Sequence, residues 1–376
     1  MNIGIVCYPT FGGSGAVATE LGKALANIGH KIHIISYNLP FKLQEFNENI
    51  MYHEVEWYEY PLFEYQPYES ALISKIVDVA LYETLDLLHV HYAIPHASAA
   101  YMAKQILKSK KIHLPYITTL HGTDITLVGK DPSFEPVIRF SLNNSDAITA
   151  VSKALKKETL QAFKIDNNVE VIPNFIDFEK IRKTKNTAKC CVSNKTSDEK
   201  ILMHISNFRK VKRIDDIVKV FAIVRKKIKS KLVLVGDGPE KPYIERLVRD
   251  LNLNKDVIFT GRVVDPIDVL ASADIFLLPS ETESFGLSAL EAMSMGVPVI
   301  SSNSGGITEV NINGKTGYTC NVGDVKTMAH LVIDLLKNEV KYQQFSKNAL
   351  EHAKKFDVKN ILPKYLNLYK KVLRNG

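Results

Sequence analysis

Four cysteines in 376 residues, Cys7, Cys190, Cys191 and Cys320, are too few and too unevenly spaced for a disulfide framework. No CxxC pair and no Cys/His cluster has the spacing of a structural zinc site. Long apolar runs are missing as well: stretches such as Ile275–Leu278 are strand-length, and none approaches the roughly 18 residues of a membrane span. The opening Met1-Asn-Ile-Gly-Ile-Val6 has no basic segment ahead of its apolar residues, so it reads as a buried strand and not as a secretory leader. A reduced, cytoplasmic setting is the expectation. Asp-x-Asp, a common way of holding a metal–diphosphate complex, does not occur, and neither a metal nor a cofactor is expected. Basic residues outnumber acidic ones only 48 to 41 and come in short clusters, short of the single basic face of a nucleic-acid binder.

What is present is a chain too long for one hydrophobic core and comfortable for two domains. With 45% hydrophobic and 24% charged residues it has the composition of an ordinary globular protein. Apolar strands alternate with amphipathic helices. A strand is expected at Asn2–Cys7, then a glycine-rich turn, a helix over about Ala16–Ile28 stopped by Gly29, and a strand at Lys31–Ser36. Leu85–His91, Tyr116–Leu120, Ala147–Val151 and Val169–Ile172 continue the pattern, which restarts after Pro173 with Ile201–Ser206, Lys231–Val235, Val257–Thr260, Ile275–Leu278 and Pro298–Ser301. Val340–Leu373 is helical by period, and the polar segment 183–200, with Cys190-Cys191, reads as a surface excursion. Near-continuous apolar strands in βα repeats mean parallel sheets covered on both faces. The expectation is α/β: two doubly wound domains, 1–172 and 173–376, facing across a cleft, with the terminal helix free to pack back on the first.

In such sheets ligands bind beyond the carboxyl ends of the strands, and that is where the unusual residues fall. Tyr8-Pro-Thr-Phe-Gly-Gly-Ser-Gly-Ala-Val-Ala18 leaves a strand and opens a helix. Gly13-x-Gly15-x-x-Ala18 satisfies the formal dinucleotide pattern, but the acidic residue that should close the second strand is missing, since that strand ends Ile35-Ser36-Tyr37-Asn38. A nicotinamide cofactor is therefore disfavoured, while close backbone approach and a helix N-terminus still favour an anion. Gly314-Lys-Thr316 is no P-loop, because Glu309 stands where that motif needs glycine.

The strongest constellation is Pro279-Ser-Glu-Thr-Glu283-Ser-Phe-Gly286-Leu-Ser-Ala-Leu-Glu291, which leaves a strand, passes a glycine loop and enters a helix. Two carboxylates there can do acid–base work or hold sugar hydroxyls, and amides near Phe285, Gly286 and Leu287 would face an anion. Ser206-Asn207-Phe-Arg209-Lys-Val-Lys212 supplies a guanidinium and an ammonium able to neutralise a diphosphate. Ser304-Gly305-Gly306 and Thr118-Thr119-Leu-His121-Gly-Thr123-Asp124 leave their strands in the same way. His89, His91 and His96 are ambiguous between site and core.

Together these motifs resemble the retaining GT-B glycosyltransferases of the glycogen-synthase-like superfamily, over essentially the whole chain: Glu283-x7-Glu291, Arg209 with Lys212, and Gly305-Gly306 stand in their expected places. Cys7-Tyr-Pro-Thr-Phe-Gly-Gly-Ser-Gly15, His89-Val-His-Tyr-Ala-Ile-Pro-His96, Leu120-His-Gly-Thr-Asp124 and Ile205-Ser-Asn-Phe-Arg-Lys-Val-Lys-Arg213 are similar to one branch in particular. That branch transfers N-acetylglucosamine from UDP-GlcNAc to the hydroxyl of L-malate, the first step of bacillithiol biosynthesis, keeping the α configuration and needing no metal. The resemblance implies two Rossmann-like domains and a set of roles. Arg209 and Lys212 bind the donor diphosphate and stabilise the leaving UDP, beside Asn207. Glu291 holds the ribose, and Glu283 with the amides of Phe285, Gly286 and Leu287 holds the sugar ring. His121 sits beside the reacting sugar, and Gly13, Ser14 and Gly15 close over the diphosphate from the other domain. For the acceptor carboxylates Ser14, Tyr92, Thr119, Thr123 and Lys153 are candidates by position only. An inositol phosphate or a membrane lipid stays open as the acceptor. Leu155–Phe163 is short and mixed for a membrane-binding helix, so no stable membrane association is expected. Homo-oligomerisation is left open.

Overall fold

The computed structural model describes residues 1–10, 12–57, 64–126, 129, 131–185, 196, 198–263 and 266–375. Phe11, Cys190-Cys191 and most of the 183–200 segment lie outside the described residues. The chain divides into two compact units, Met1–Asn174 with Lys359–Gly376, and Phe175–Val358.

Among the described residues the first unit carries seven strands: β1 (Asn2–Val6), β2 (Lys31–Ser36), β3 (Ile50–Glu54), β4 (Leu87–His91), β5 (Tyr116–Leu120), β6 (Ala147–Ala150) and β7 (Val169–Val171). They lie in the order β3-β2-β1-β4-β5-β6-β7, and every pairing is parallel. Ile3, Ile5, Ile32 and Ile34 are fully buried because both faces of the sheet are covered. On one face the helix Tyr68–Tyr82 sets Leu72, Ile76 and Val79 against Ile35, Leu88 and Val90. The second unit carries β8 (Lys200–Ile205), β9 (Ser230–Val235), β10 (Val257–Gly261), β11 (Ile275–Leu278), β12 (Val299–Ser302) and β13 (Gly317–Cys320), ordered β10-β9-β8-β11-β12-β13 and again all parallel. The helix Ile214–Arg225 places Ile217, Val218, Phe221 and Val224 in a core with Leu202, Leu232 and Leu234. Each such side chain, fully buried, contributes about 1.5–3 kcal/mol.

Two strands had no counterpart in the sequence pattern. Ile50-Met-Tyr-His-Glu lies at the edge of its sheet, where no residue of the strand is fully covered, and Gly317–Cys320 is a four-residue edge strand. The carboxyl-terminal stretch is two helices, Glu339–Ala353 and Val358–Asn375, and from Lys359 the chain belongs to the first unit. Among the described residues no helix is long and apolar enough to cross a membrane.

In each sheet the strand order reverses direction once, between β1 and β4 and between β8 and β11. These reversals splay the connecting loops apart and leave a crevice beyond the strands' carboxyl ends.

Candidate active site

In the first unit, β1 runs into the glycine turn at its switch point. Gly13 caps the helix Ser14–Ala26 with φ 63° and ψ −133°, a conformation open essentially only to glycine. A Cβ on Gly15 would lie 2.2 Å from the Tyr8 carbonyl oxygen, so only glycine lets the helix start this close to the turn. The helix begins its ladder with Val17 N–H donating to Gly13 O at 3.1 Å, so the amides of Ser14, Gly15 and Ala16 precede the first intrahelical bond. This is a helix N-terminus suited to an anion.

Across the switch point β4 ends at His91 and is followed by Tyr92, and β5 is followed by His121. The His91 and His121 rings stack at 5.1 Å, with His91 Nδ1 and His121 Nε2 2.8 Å apart. Tyr92 stacks on His121 at 5.7 Å, and its hydroxyl lies 2.7 Å from Thr123 Oγ1. Tyr92 holds φ at 100°, unusual for a bulky residue and worth about 1–3 kcal/mol of strain. The next residue is clamped: Ala93 N–H donates to Asp124 Oδ2 at 3.0 Å, while Gly122 N–H donates to Oδ1 at 2.9 Å. Asp124 thus ties the turn after β4 to the turn after β5. Burial raises its carboxyl pKa, opposed by these amides. In the sequence Asp124 is only the last residue of the His121-Gly-Thr-Asp run, and its clamping role shows only in the fold.

Burial also holds the histidines neutral. It brings His89 and His121 down to about 3 and His96 to about 4, and holds His91 well below its usual value. Their tautomers follow from their partners. His96 Nδ1 faces the His91 carbonyl oxygen and must donate, so Nε2 accepts from Tyr68 at 3.2 Å. Among the described residues His91 Nε2 is buried without a partner, and a bare lone pair costs less there than an orphaned N–H. Its proton therefore sits on Nδ1 and is donated to His121 Nε2. That assignment leaves His121 with its proton on Nδ1, so His121 presents a donor and not a base.

The other candidates of this unit sit differently. Ser14 opens the helix and is nearly buried. Thr119 is fully buried, with its hydroxyl 2.6 Å from both His89 Nε2 and Thr149 Oγ1, so it points into the unit and not out of the strand end. Lys153 is exposed at the start of a helix capped by Ser152. The ambiguous His89 is a core residue, its Nδ1 2.8 Å from the hydroxyl of Tyr369.

In the second unit the loops after β8 and β11 meet. Lys212 Nζ lies 2.7 Å from Glu283 Oε2, which also accepts from Ser280 Oγ at 3.3 Å. Glu281 N–H donates to Val211 O at 2.8 Å and fastens the two loops. The loop after β12 closes on the same point: Gly306 N–H donates to Glu283 O at 2.7 Å, and a Cβ on Gly305 would lie 2.4 Å from that oxygen. Arg209 and Asn207 are exposed beside Lys212. Gly286 caps the helix Leu287–Ser294, which carries the largely buried Glu291, while Phe285 turns its ring inward against Phe356. His204 and Ser206, unassigned by the sequence, support the floor. His204 Nδ1 donates to Leu277 O at 2.8 Å, so Nε2 accepts from Ser206 Oγ at 2.7 Å. A carboxylate, an ammonium, a guanidinium and a helix start at the end of one sheet suit a phosphorylated, hydroxyl-rich ligand.

Two family models match the chain: Glycosyltransferase Family 4 over residues 11–180 and Glycosyl transferases group 1 over residues 186–352. The N-acetyl-alpha-D-glucosaminyl L-malate synthase of Bacillus anthracis is 46% identical over 376 residues, covering 100% of this chain and 98% of that protein. Among solved structures, sucrose-phosphate synthase from Thermosynechococcus elongatus superposes with a TM-score of 0.83 at 21% identity, covering 100% of both chains. Anabaena HepE, solved with UDP-glucose, superposes with a TM-score of 0.76 at 19% identity, covering 99% of this chain and 100% of that one. At those identities the two structures speak for the fold.

Proposed function

The chain belongs to the N-acetyl-alpha-D-glucosaminyl L-malate synthase family of two-domain GT-B glycosyltransferases, and on that premise we propose that it transfers N-acetylglucosamine from UDP-GlcNAc to the hydroxyl of L-malate, opening bacillithiol biosynthesis in the cytoplasm. The observation that carries this reading is the 46% identity along the full length of the synthase.

Arg209 and Lys212 take the donor diphosphate. Lys212 is ion-paired to Glu283, so donor binding shares one ammonium between a carboxylate and the β-phosphate. The C1–O bond to the diphosphate breaks with its electron pair leaving on UDP, and the two cations stabilise that growing charge. The malate hydroxyl oxygen bonds to C1 from the same face, its proton passing to the departing phosphate oxygen. This gives retention without a protein nucleophile, unlike the two-carboxylate scheme of glycosidases. Glu283 and the amides after it hold sugar hydroxyls, and Glu291 the ribose. His121, donating from Nδ1, steadies a sugar oxygen, while Ser14, Tyr92, Thr123 and Lys153 are the candidates for malate. Turnover needs no metal on this scheme, because cationic side chains do what a metal bound by Asp-x-Asp would do.

The test is incubation with UDP-GlcNAc and a panel of hydroxy acids and polyol phosphates, following UDP release and the anomeric coupling of the product by NMR. UDP release with L-malate and an α product are expected. Turnover with an inositol phosphate or a glycolipid but not with malate would overturn the acceptor, and a β product would overturn retention.

A further inference from the structure

The first unit holds a second cluster of ligand-type side chains that the transfer reaction does not use. His33 lies on β2, His53 on the edge strand β3, and Glu83 caps the helix Tyr68–Tyr82. One nitrogen of each imidazole and one oxygen of Glu83 all lie within 4.8 Å of one another. We propose that these three residues form a binding site for a divalent transition metal of the zinc class, with a structural role.

Two observations carry it. His33 Nδ1 and His53 Nε2 are 3.0 Å apart, close to the about 3.3 Å subtended by two zinc ligands at about 2.0–2.1 Å in a tetrahedron. The two rings stack with an interplanar angle of 24°, bringing their edges together from adjacent strands. Two imidazoles with one carboxylate suit zinc, nickel or copper better than magnesium or calcium, which prefer all-oxygen sites. The main chain of Glu83 is anchored, its N–H donating to Val79 O at 2.9 Å and its carbonyl accepting from Asn2 Nδ2 at 3.1 Å. Its side chain is partly exposed, as is His53, which gives an ion a way in and room for a water as fourth ligand. Bound there, the metal would join the edge strand, its neighbour and the end of the covering helix.

The site lies outside the catalytic groups proposed above, so its test is independent of them. Full-length protein, stripped with EDTA and dialysed, is titrated with ZnCl2 by calorimetry and melted with and without it, and CoCl2 serves as a spectroscopic probe. One equivalent should bind, with the visible bands of tetrahedral cobalt. At Zn²⁺ one hundred times Kd the melting temperature should rise by about 5–10 °C. His53→Ala and Glu83→Gln change partly exposed side chains and should fold. Each should weaken binding at least about tenfold and cut the thermal shift, with turnover unchanged. His33→Asn, at a buried position, is the secondary variant. Absence of stoichiometric binding, or binding that both His53→Ala and Glu83→Gln leave intact, overturns the proposal.

Discussion

Replacing Lys212 by alanine isolates the charge placed here on the leaving diphosphate. Its ammonium lies 2.7 Å from Glu283 Oε2, with the two side chains 20% and 14% exposed. The Glu281-to-Val211 bond holds the two loops together without it, and the Ser280 hydroxyl still reaches Glu283. The substitution therefore removes two separable things. Loss of the partner of a mostly buried carboxylate costs about 1 kcal/mol of stability, at the upper end for exposed pairs and short of the cost of breaking a dry one. Loss of the cation acts on the transition state, where charge on the phosphate is greatest, and costs about 2–4 kcal/mol, or about 10²–10³ in kcat. Glu283→Gln keeps the side-chain shape and removes the ion pair, which makes a double-mutant cycle possible. If Lys212 acts on the diphosphate, Lys212→Ala lowers kcat by a similar factor with either residue at 283. If it only positions Glu283, it adds nothing beside Glu283→Gln. Steady-state UDP release gives kcat and donor KM for all four proteins, and thermal melting verifies their folding. A rise in donor KM with kcat intact, or silence of Lys212→Ala in the Glu283→Gln background, would refute the leaving-group role.

Gly13→Val should fold, since a Cβ there meets nothing within 4 Å among the described residues, but its φ of 63° forces the turn to move. Displaced amides should lower turnover by about 10²-fold, with the melting temperature lowered by the backbone strain but cooperative unfolding kept, and wild-type turnover would count against the glycine turn. Turnover should survive EDTA even if the melting temperature falls; activity lost on chelation and restored by Mg²⁺ or Mn²⁺ would contradict the cationic scheme. Stability should fall on acidification: His89, His96 and His204 are held by burial at about 3, 4 and 4 against 6.5 unfolded. Below the unfolded value only the unfolded chain takes up their protons, so stability present above pH 6.5 is lost as pH drops toward the folded values, by about 1 kcal/mol per histidine between pH 7 and 5.5. Urea unfolding at those two pH values tests this, and equal midpoints would contradict neutral burial.

Alternation of apolar strands with amphipathic helices is a local signal, so two parallel-sheet domains could be read from the chain alone, as could the glycine turn after β1 and the loop and helix bearing Glu283 and Glu291. The edge strands could not. In β3 no residue of Ile50-Met-Tyr-His-Glu is fully covered, so its pattern carries little of the apolar continuity that marked β1 or β11. Strand order was equally out of reach, because pairing β1 with β4, or β8 with β11, depends on packing between segments far apart in the chain.

His89 and His91 illustrate the division. They stand two residues apart on one strand and read alike, but the fold gives His89 to Tyr369 and Thr119 and His91 to His121. Thr119 was a reasonable candidate for the acceptor by its place at a strand end, and tertiary packing turned it inward. Residue types and their spacing determined which chemistry the chain can carry. Which side chains act as pairs, Lys212 with Glu283 or His33 with His53, was decided only in three dimensions. Hydrogen bonds and ion pairs fall off within a few ångströms, and long-range packing alone brings both ends within that reach.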